Sequence, residues 1–235
     1  MRFFDTYPRF YETTRTLLKP NRFQQRWRMI VDRNRSLFEN ARVLDLAAHD
    51  GRWSFAALTA GAAYVEGVEA RADLVEGAKE NFRHYGVGVE NATFVCDDAV
   101  AYLEAAALPR FDVVLNLGFL YHTMKHLQVI EGMARTGARH FIIDTSLTRG
   151  AGALIQLMTE DADDFRNAVR ADAQRPKNVL VGAPSKDAVR MMLDDVGYDC
   201  DEIDWFAHVD DFAECDDYRE GFRTTFVAAR RAPGA

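Results

Sequence analysis

His49, Glu69, Asn116, Tyr121, His122 and Asp144 each stand at or just beyond the end of an apolar run of strand length. In open α/β sheets, ligands and reacting groups gather beyond the carboxyl ends of the strands. Glu69 lies where a carboxylate can accept hydrogen bonds from both hydroxyls of a ribose, which points to a nucleotide-like cofactor. Histidine ordinarily titrates near neutral pH, so His122 is a candidate general base. Asp144 is a second candidate, as base, orienter or metal ligand. His49 and Tyr121 are placed to face an acceptor.

The elements that would position these groups begin with ARVLDLAAHDGRWSFAALTAGAAYVEGVEA, residues 41–70. Val43, Leu44 and Leu46 form a short apolar strand, Ala47 to Gly51 a small-residue loop, and Trp53, Phe55, Ala56, Ala57 and Leu58 a helix that Gly61 ends. A second strand, Tyr64 to Val68, closes at Glu69. This is a βαβ unit whose loop meets a helix N-terminus, where free N–H groups and the helix dipole favour an anion. The dinucleotide fingerprint G-x-G-x-x-G is absent from the loop.

Asp45, Leu46, Ala47, Ala48, His49, Asp50, Gly51 instead resembles the first motif of class I S-adenosylmethionine-dependent methyltransferases. Asp45 and Gly51 match that motif, while Ala47 and His49 replace its first two glycines. FDVVLNLGFLYH, from Phe111, resembles the fourth strand and following turn of the same family. LGFLYHTMKHLQVI is similar to the transferases that modify tRNA wobble uridines. The resemblance implies a seven-stranded Rossmann-like α/β sheet with helices on both faces and an antiparallel last strand. It also implies S-adenosylmethionine as cofactor, near Asp45, Ala47, His49, Gly51, Glu69, Asn116 and Leu117. Asp98, or else Asp97, takes the place of the residue that contacts the adenine, although an Asp before a helix is also an ordinary N-cap. Mg²⁺ held by Asn116 and Asp144 is a further possibility that the family raises.

Beyond Glu69 the alternation continues. Leu74, Val75, Ala78, Phe82 and Tyr85 have helical spacing, Ala92 to Cys96 form a strand, and a helix spans Lys125 to about Thr136. A fifth strand runs His140 to Ile143. Two closing strands lie near Tyr198 to Trp205 and Thr224 to Ala229. Between them, Leu147 to Pro184 breaks the pattern with Gly150, Gly152 and an acidic stretch; a segment this long inside a domain reads as a mobile lid over the site. Ser185 caps the helix that follows.

Residues 1–40 read as an N-terminal helical extension and 41–235 as the main domain. Residues 1–42 hold ten Lys or Arg against four acids, whereas residues 194–220 hold twelve acids against Arg219 alone. The N-terminal arginines read as the solvated face of an amphipathic helix whose apolar side is Phe23, Trp27, Ile30, Val31, Leu37 and Phe38. The other reading is a phosphate-holding arm, but a net charge of −7 with no basic stripe elsewhere makes generic RNA binding a poor fit. There is no membrane-length apolar run and no signal-peptide core at the start, so a cytoplasmic protein is expected. Cys96, Cys200 and Cys215 suggest neither a disulfide framework nor a zinc site.

Three functions follow. The first is O-methylation of a hydroxyl on a small polar acceptor such as a sugar, glycoside or oligosaccharide, in a possible homodimer. The second is tRNA modification. The third is a nucleotide-binding relative that has lost its chemistry, as the missing glycines suggest.

Overall fold

The computed structural model describes residues 2–170 and 176–232. Seven strands form one sheet: β1 (Arg42–Leu46), β2 (Tyr64–Glu69), β3 (Ala92–Cys96), β4 (Val113–Leu117), β5 (His140–Ser146), β8 (Tyr198–Glu202) and β9 (Arg223–Arg230). Their order is β3-β2-β1-β4-β5-β9-β8, with β9 antiparallel to both neighbours and the other pairs parallel. The order reverses between β1 and β4, which opens a crevice at their carboxyl ends.

Alternation along the strands sends neighbouring residues to opposite faces. Leu44, Val114 and Ile143 join one core under helices α6 (Ala99–Glu104), α7 (His126–Arg135) and α8 (Lys186–Asp195). Val43, Val113, Leu115 and Ile142 join the other, under α4 (Arg52–Thr59) and α5 (Ala72–His84). Ser185 caps α8 as expected, its Oγ accepting from the Ala188 amide at 3.2 Å.

The N-terminal segment is helical and enters the second core directly. It holds α1 (Phe3–Thr6), α2 (Arg9–Glu12) and α3 (Pro20–Arg26), the last continuing as a π-helical stretch over Trp27–Asp32. Phe3, Phe4 and Phe10 pack among Phe23, Trp53, Phe55 and Tyr85, with the Phe3 and Trp27 rings stacked at 5.0 Å. A smaller cluster ties the π-helical stretch to the segment before β9 through Met29, Trp205, Val209 and Tyr218, the last on the short helix α9 (Asp216–Arg219).

The expected irregular insertion contains regular structure. Strands β6 (Ile155–Asp161) and β7 (Asn178–Pro184) pair antiparallel as a separate ribbon. Leu157 and Leu180 remain more than half exposed on it while Val181 and Ala183 are buried, so apolar residues stand on both faces and blur the period-two pattern that marks a strand in sequence.

Candidate active site

A cleft of about 1520 Å³ lies over the carboxyl ends of the strands, walled by the loop after β1, the ends of β2 and β4, α3 and the ribbon. On one side of it, the loop after β1 takes a glycine-like conformation without the expected glycines. Ala47 and His49 both adopt the left-handed region, at φ 55° and 53°. That conformation costs a side-chain-bearing residue about 1 kcal/mol or more. The loop is therefore held rather than widened. Gly51, also left-handed, opens α4, and a Cβ there would lie 2.9 Å from the rings of Phe82 and Phe94.

Glu69 is positioned by this loop. Its two carboxylate oxygens accept from the His49 amide and the Arg71 amide, each at 3.0 Å. A carboxylate oxygen can take a second donor, so both oxygens keep capacity for the paired hydroxyls of a ribose. Asp97 and Asp98 line the wall beside it. Asp98 is the N-cap of α6, accepting from Val100 and Ala101 at 3.0 Å. Leu117 completes this side of the cleft.

Three residues expected near the cofactor stand behind the wall instead. Asp45 is buried and accepts from Ser54 Oγ at 2.6 Å, which ties β1 to the first turn of α4. Burial pushes its carboxyl up to about 7, against the lowering effect of that hydrogen bond. Gly51 serves packing. Asn116 is fully buried; its Oδ1 accepts from the Leu120 amide at 3.1 Å, which shapes the turn after β4.

His49 does reach the cleft. Its Nδ1 lies 3.2 Å from Arg52 Nη2 and 3.5 Å from Asp50 Oδ1. Its Nε2 is buried with no partner among the described residues. A buried ring nitrogen left open at the loop where the cofactor would lie is what a polar group of a ligand would satisfy. Behind it, burial would raise the Asp50 carboxyl, but Arg52 and His49 override this and hold it well below the usual carboxylate range.

Asp144 does not act as a base or ligand here. It has no exposure, and its oxygens accept from Arg223 Nε (2.6 Å), Arg26 Nη2 (2.9 Å), Tyr218 Oη (2.7 Å) and Thr225 Oγ1 (2.8 Å). Burial alone would raise its carboxyl, but Arg223 and Arg26 override this and keep it well below the ordinary aspartate range. Nor can it share an ion with Asn116. Leu117 pairs with Asp144 and Asn116 with Ile143, so strand alternation sends the two candidate ligands to opposite faces of the sheet. The Mg²⁺ expectation is corrected on that ground. Among the described residues no cluster of three His, Cys, Asp or Glu is placed to hold a metal.

His122 sits in the wall, on a 3₁₀ turn after β4, with its ring close to that of Tyr121. Its carboxylate partner is Glu160 of β6, with Nδ1 and Oε2 2.6 Å apart. The Ala168 amide donates to the same oxygen at 2.9 Å. Sequence reasoning missed Glu160, because a pairing with a ribbon outside the sheet leaves no periodic trace.

Sequence reasoning also missed the arginines. Arg22 and Arg26 are not a solvated face; their side chains are 15% and 11% exposed, they line the cleft, and they pair with Asp217 and Asp144. Arg26 lies three residues after Phe23 and four before Ile30, which puts it on the apolar face of the helix, a spacing that could have revealed it. Arg71 pins the ribbon's connection by donating to the carbonyls of Ala162, Asp164 and Asn167 at 3.0–3.3 Å.

Residues 43–138 match the family model described as a methyltransferase domain. No curated protein matches the sequence significantly. Among solved structures, the N-terminal domain of EvdMO1, determined in the presence of SAH and D-fucose, superposes with a TM-score of 0.61 at 21% identity, covering 86% of this chain and 82% of that one. A putative S-adenosylmethionine-dependent methyltransferase from Listeria monocytogenes gives 0.61 at 16% identity, covering 87% and 95%. The 1,6-didemethyltoxoflavin-N1-methyltransferase of Burkholderia thailandensis gives 0.55 at 16%, covering 84% and 73%. No helix among the described residues is long and apolar enough to cross a membrane. Residues 43–138 thus resemble a methyltransferase domain, and the chain shares the fold of solved S-adenosylmethionine-dependent methyltransferases.

Proposed function

We propose that the enzyme transfers a methyl group to a hydroxyl of a small polar acceptor, of which a sugar or glycoside is the leading type. The observation that carries this reading is the His122–Glu160 pair in the cleft wall. N- or C-methylation of an already nucleophilic atom needs little beyond alignment, whereas a hydroxyl must lose its proton as it attacks. With Nδ1 donating to Glu160, His122 Nε2 is the basic nitrogen and can take that proton.

When bound, S-adenosylmethionine supplies a methyl group on a sulfonium leaving group, and S-adenosylhomocysteine is the product. Glu69 would hold the ribose, with Asp97 and Asp98 beside the adenine and the loop at Ala47–His49 against the methionine part. Tyr121, which lines the cleft, gives the acceptor a flat apolar surface of the kind that sugars stack on. Glu160 orients the imidazole, and the ribbon that carries it limits the access of water. The presence of D-fucose in the EvdMO1 structure is consistent with a sugar in a cleft of this fold. The inward placement of Arg22 and Arg26 removes two cations from the basic arm that a tRNA-binding surface would need.

The test is a panel of sugars, glycosides and other hydroxyl-bearing metabolites, scored by release of S-adenosylhomocysteine and by the position of the new methyl group. O-methylated product from a sugar supports the reading. Methylation only at nitrogen or carbon, or only of tRNA, contradicts it.

A further inference from the structure

The acceptor side of the cleft carries more positive charge than its own carboxylates neutralise. Lys19, Arg22, Arg26 and Arg223 line it. Arg22 is engaged by Asp217 through both of its terminal nitrogens. Arg26 and Arg223 share one carboxylate, that of Asp144. Asp216, the other acid in this wall, is taken by Arg219. Lys19 has no ion-pair partner among the described residues.

The hydrogen bonds tell the same story. Among the described residues, Arg26 donates from its side chain only to Asp144, although a guanidinium has donors on all three nitrogens. Its Nε is buried without an acceptor. The Trp53 ring under the guanidinium, 4.8 Å from its carbon, fixes its plane but supplies no lone pair. A buried charged donor left open costs more than an ordinary unmade hydrogen bond, and a ligand oxygen that reached it would recover that cost. The planar fork of arginine matches the paired oxygens of an oxyanion.

We infer that the acceptor carries an oxyanion, a carboxylate or a phosphate ester, seated against Arg26 with Lys19 and Arg223 beside it. This inference rests on the hydroxyl-acceptor reading and narrows it from sugars in general to acidic ones. The negative group would anchor the acceptor at α3 while its hydroxyl is presented to His122.

Three sugars that differ mainly in charge test it with the full-length enzyme and S-adenosylmethionine: methyl glucoside, glucuronate and glucose 6-phosphate. At least one charged sugar should exceed methyl glucoside in kcat/KM by about tenfold or more, the worth of one charge-assisted hydrogen bond. Preference for glucuronate identifies a carboxylate and preference for glucose 6-phosphate a phosphate. Arg26→Gln should lower the charged-to-neutral ratio by about tenfold and leave affinity for S-adenosylhomocysteine unchanged by calorimetry. Equal use of all three sugars, or an unchanged ratio in Arg26→Gln, overturns the inference. So does a matching loss of S-adenosylhomocysteine affinity, which would assign Arg26 to the carboxylate of the cofactor. Should Arg26→Gln fail to fold, Lys19→Gln must lower the ratio, and no change there overturns the inference. If no sugar is methylated, calorimetry on the S-adenosylhomocysteine-loaded enzyme separates the two ideas. Glucuronate or glucose 6-phosphate binding that Lys19→Gln weakens keeps the oxyanion site while hydroxyl transfer falls, and binding of neither removes the site.

Discussion

Glu160 Oε2 lies 2.6 Å from His122 Nδ1, although 38 residues separate the two in the chain. Glu160 belongs to the ribbon and His122 to the turn after β4, so the orientation of the imidazole depends on the ribbon being in place. His126 adds a second tie of the same kind, its Nε2 bonding to the Gly182 carbonyl at 2.7 Å. The ribbon is thereby tied at two points to the stretch that carries His122 and His126.

The cofactor side gives the first prediction. Glu69→Ala should weaken S-adenosylmethionine binding tenfold or more, since two charge-assisted hydrogen bonds of about 1.5–3 kcal/mol each would go. The fold should survive, as Glu69 sits at a strand end. Isothermal calorimetry reads this directly, and unchanged affinity would remove Glu69 from the ribose.

Asp144→Asn should act on stability before it acts on chemistry. Neutralising one member of a buried ion-paired cluster leaves Arg26 and Arg223 without their counter-charge, at a cost of about 3–5 kcal/mol. The Asp144 carboxyl is held below its unfolded value, so its contribution is present above about pH 4 and lost as pH falls from there. Urea titration at neutral pH checks the cost. A fully stable variant with turnover down a hundredfold would instead place Asp144 at the reacting atoms.

Asp45 should show the opposite pH dependence. Its carboxyl is raised from 3.8 to about 7, chiefly by burial. A group raised in the folded state contributes fully below its unfolded value, and the contribution is lost as pH rises through about 7. Asp45→Asn should therefore gain on the wild type between pH 5 and pH 8, by on the order of 2 kcal/mol. Parallel stability curves for the two proteins would contradict this.

The ribbon should order with ligand. The segment after β6 is held by Arg71, whose own amide donates to Glu69, so the expected ribose carboxylate and the ribbon meet at one residue. Hydrogen exchange over residues 147–184 should slow when cofactor and acceptor are both present. Equal protection with and without them would make the segment a fixed structural element.

Much of the frame was legible because periodicity reports burial. Residues 42–69 fold as the strand, helix and strand that their apolar spacing predicts, and Glu69 closes β2. Ser185 and Asp98 cap helices as their residue types suggest. The antiparallel last strand came from family resemblance rather than from spacing. Least legible were features made by contacts across the chain. Asp144 follows an apolar strand as a catalytic residue would, yet the groups that disarm it, Arg26 and Arg223, lie 118 and 79 residues away. Ala47 and His49 looked like lost glycines, but the loop adopts the left-handed conformation regardless, because Glu69 and the packing around Gly51 hold it.

The central claim, that His122 takes the acceptor's proton and Glu160 orients it, is tested most directly by single-turnover methyl transfer in His122→Ala, Glu160→Gln and the double variant. His122→Ala should slow transfer by about 10² to 10⁴ with S-adenosylmethionine affinity nearly unchanged. Glu160→Gln should slow it by less, and the double variant no more than His122→Ala alone, because Glu160 acts through the imidazole. Should His122→Ala weaken cofactor binding yet spare transfer at saturation, His122 would be a cofactor contact, and His49, with its open Nε2, would take its place as the base.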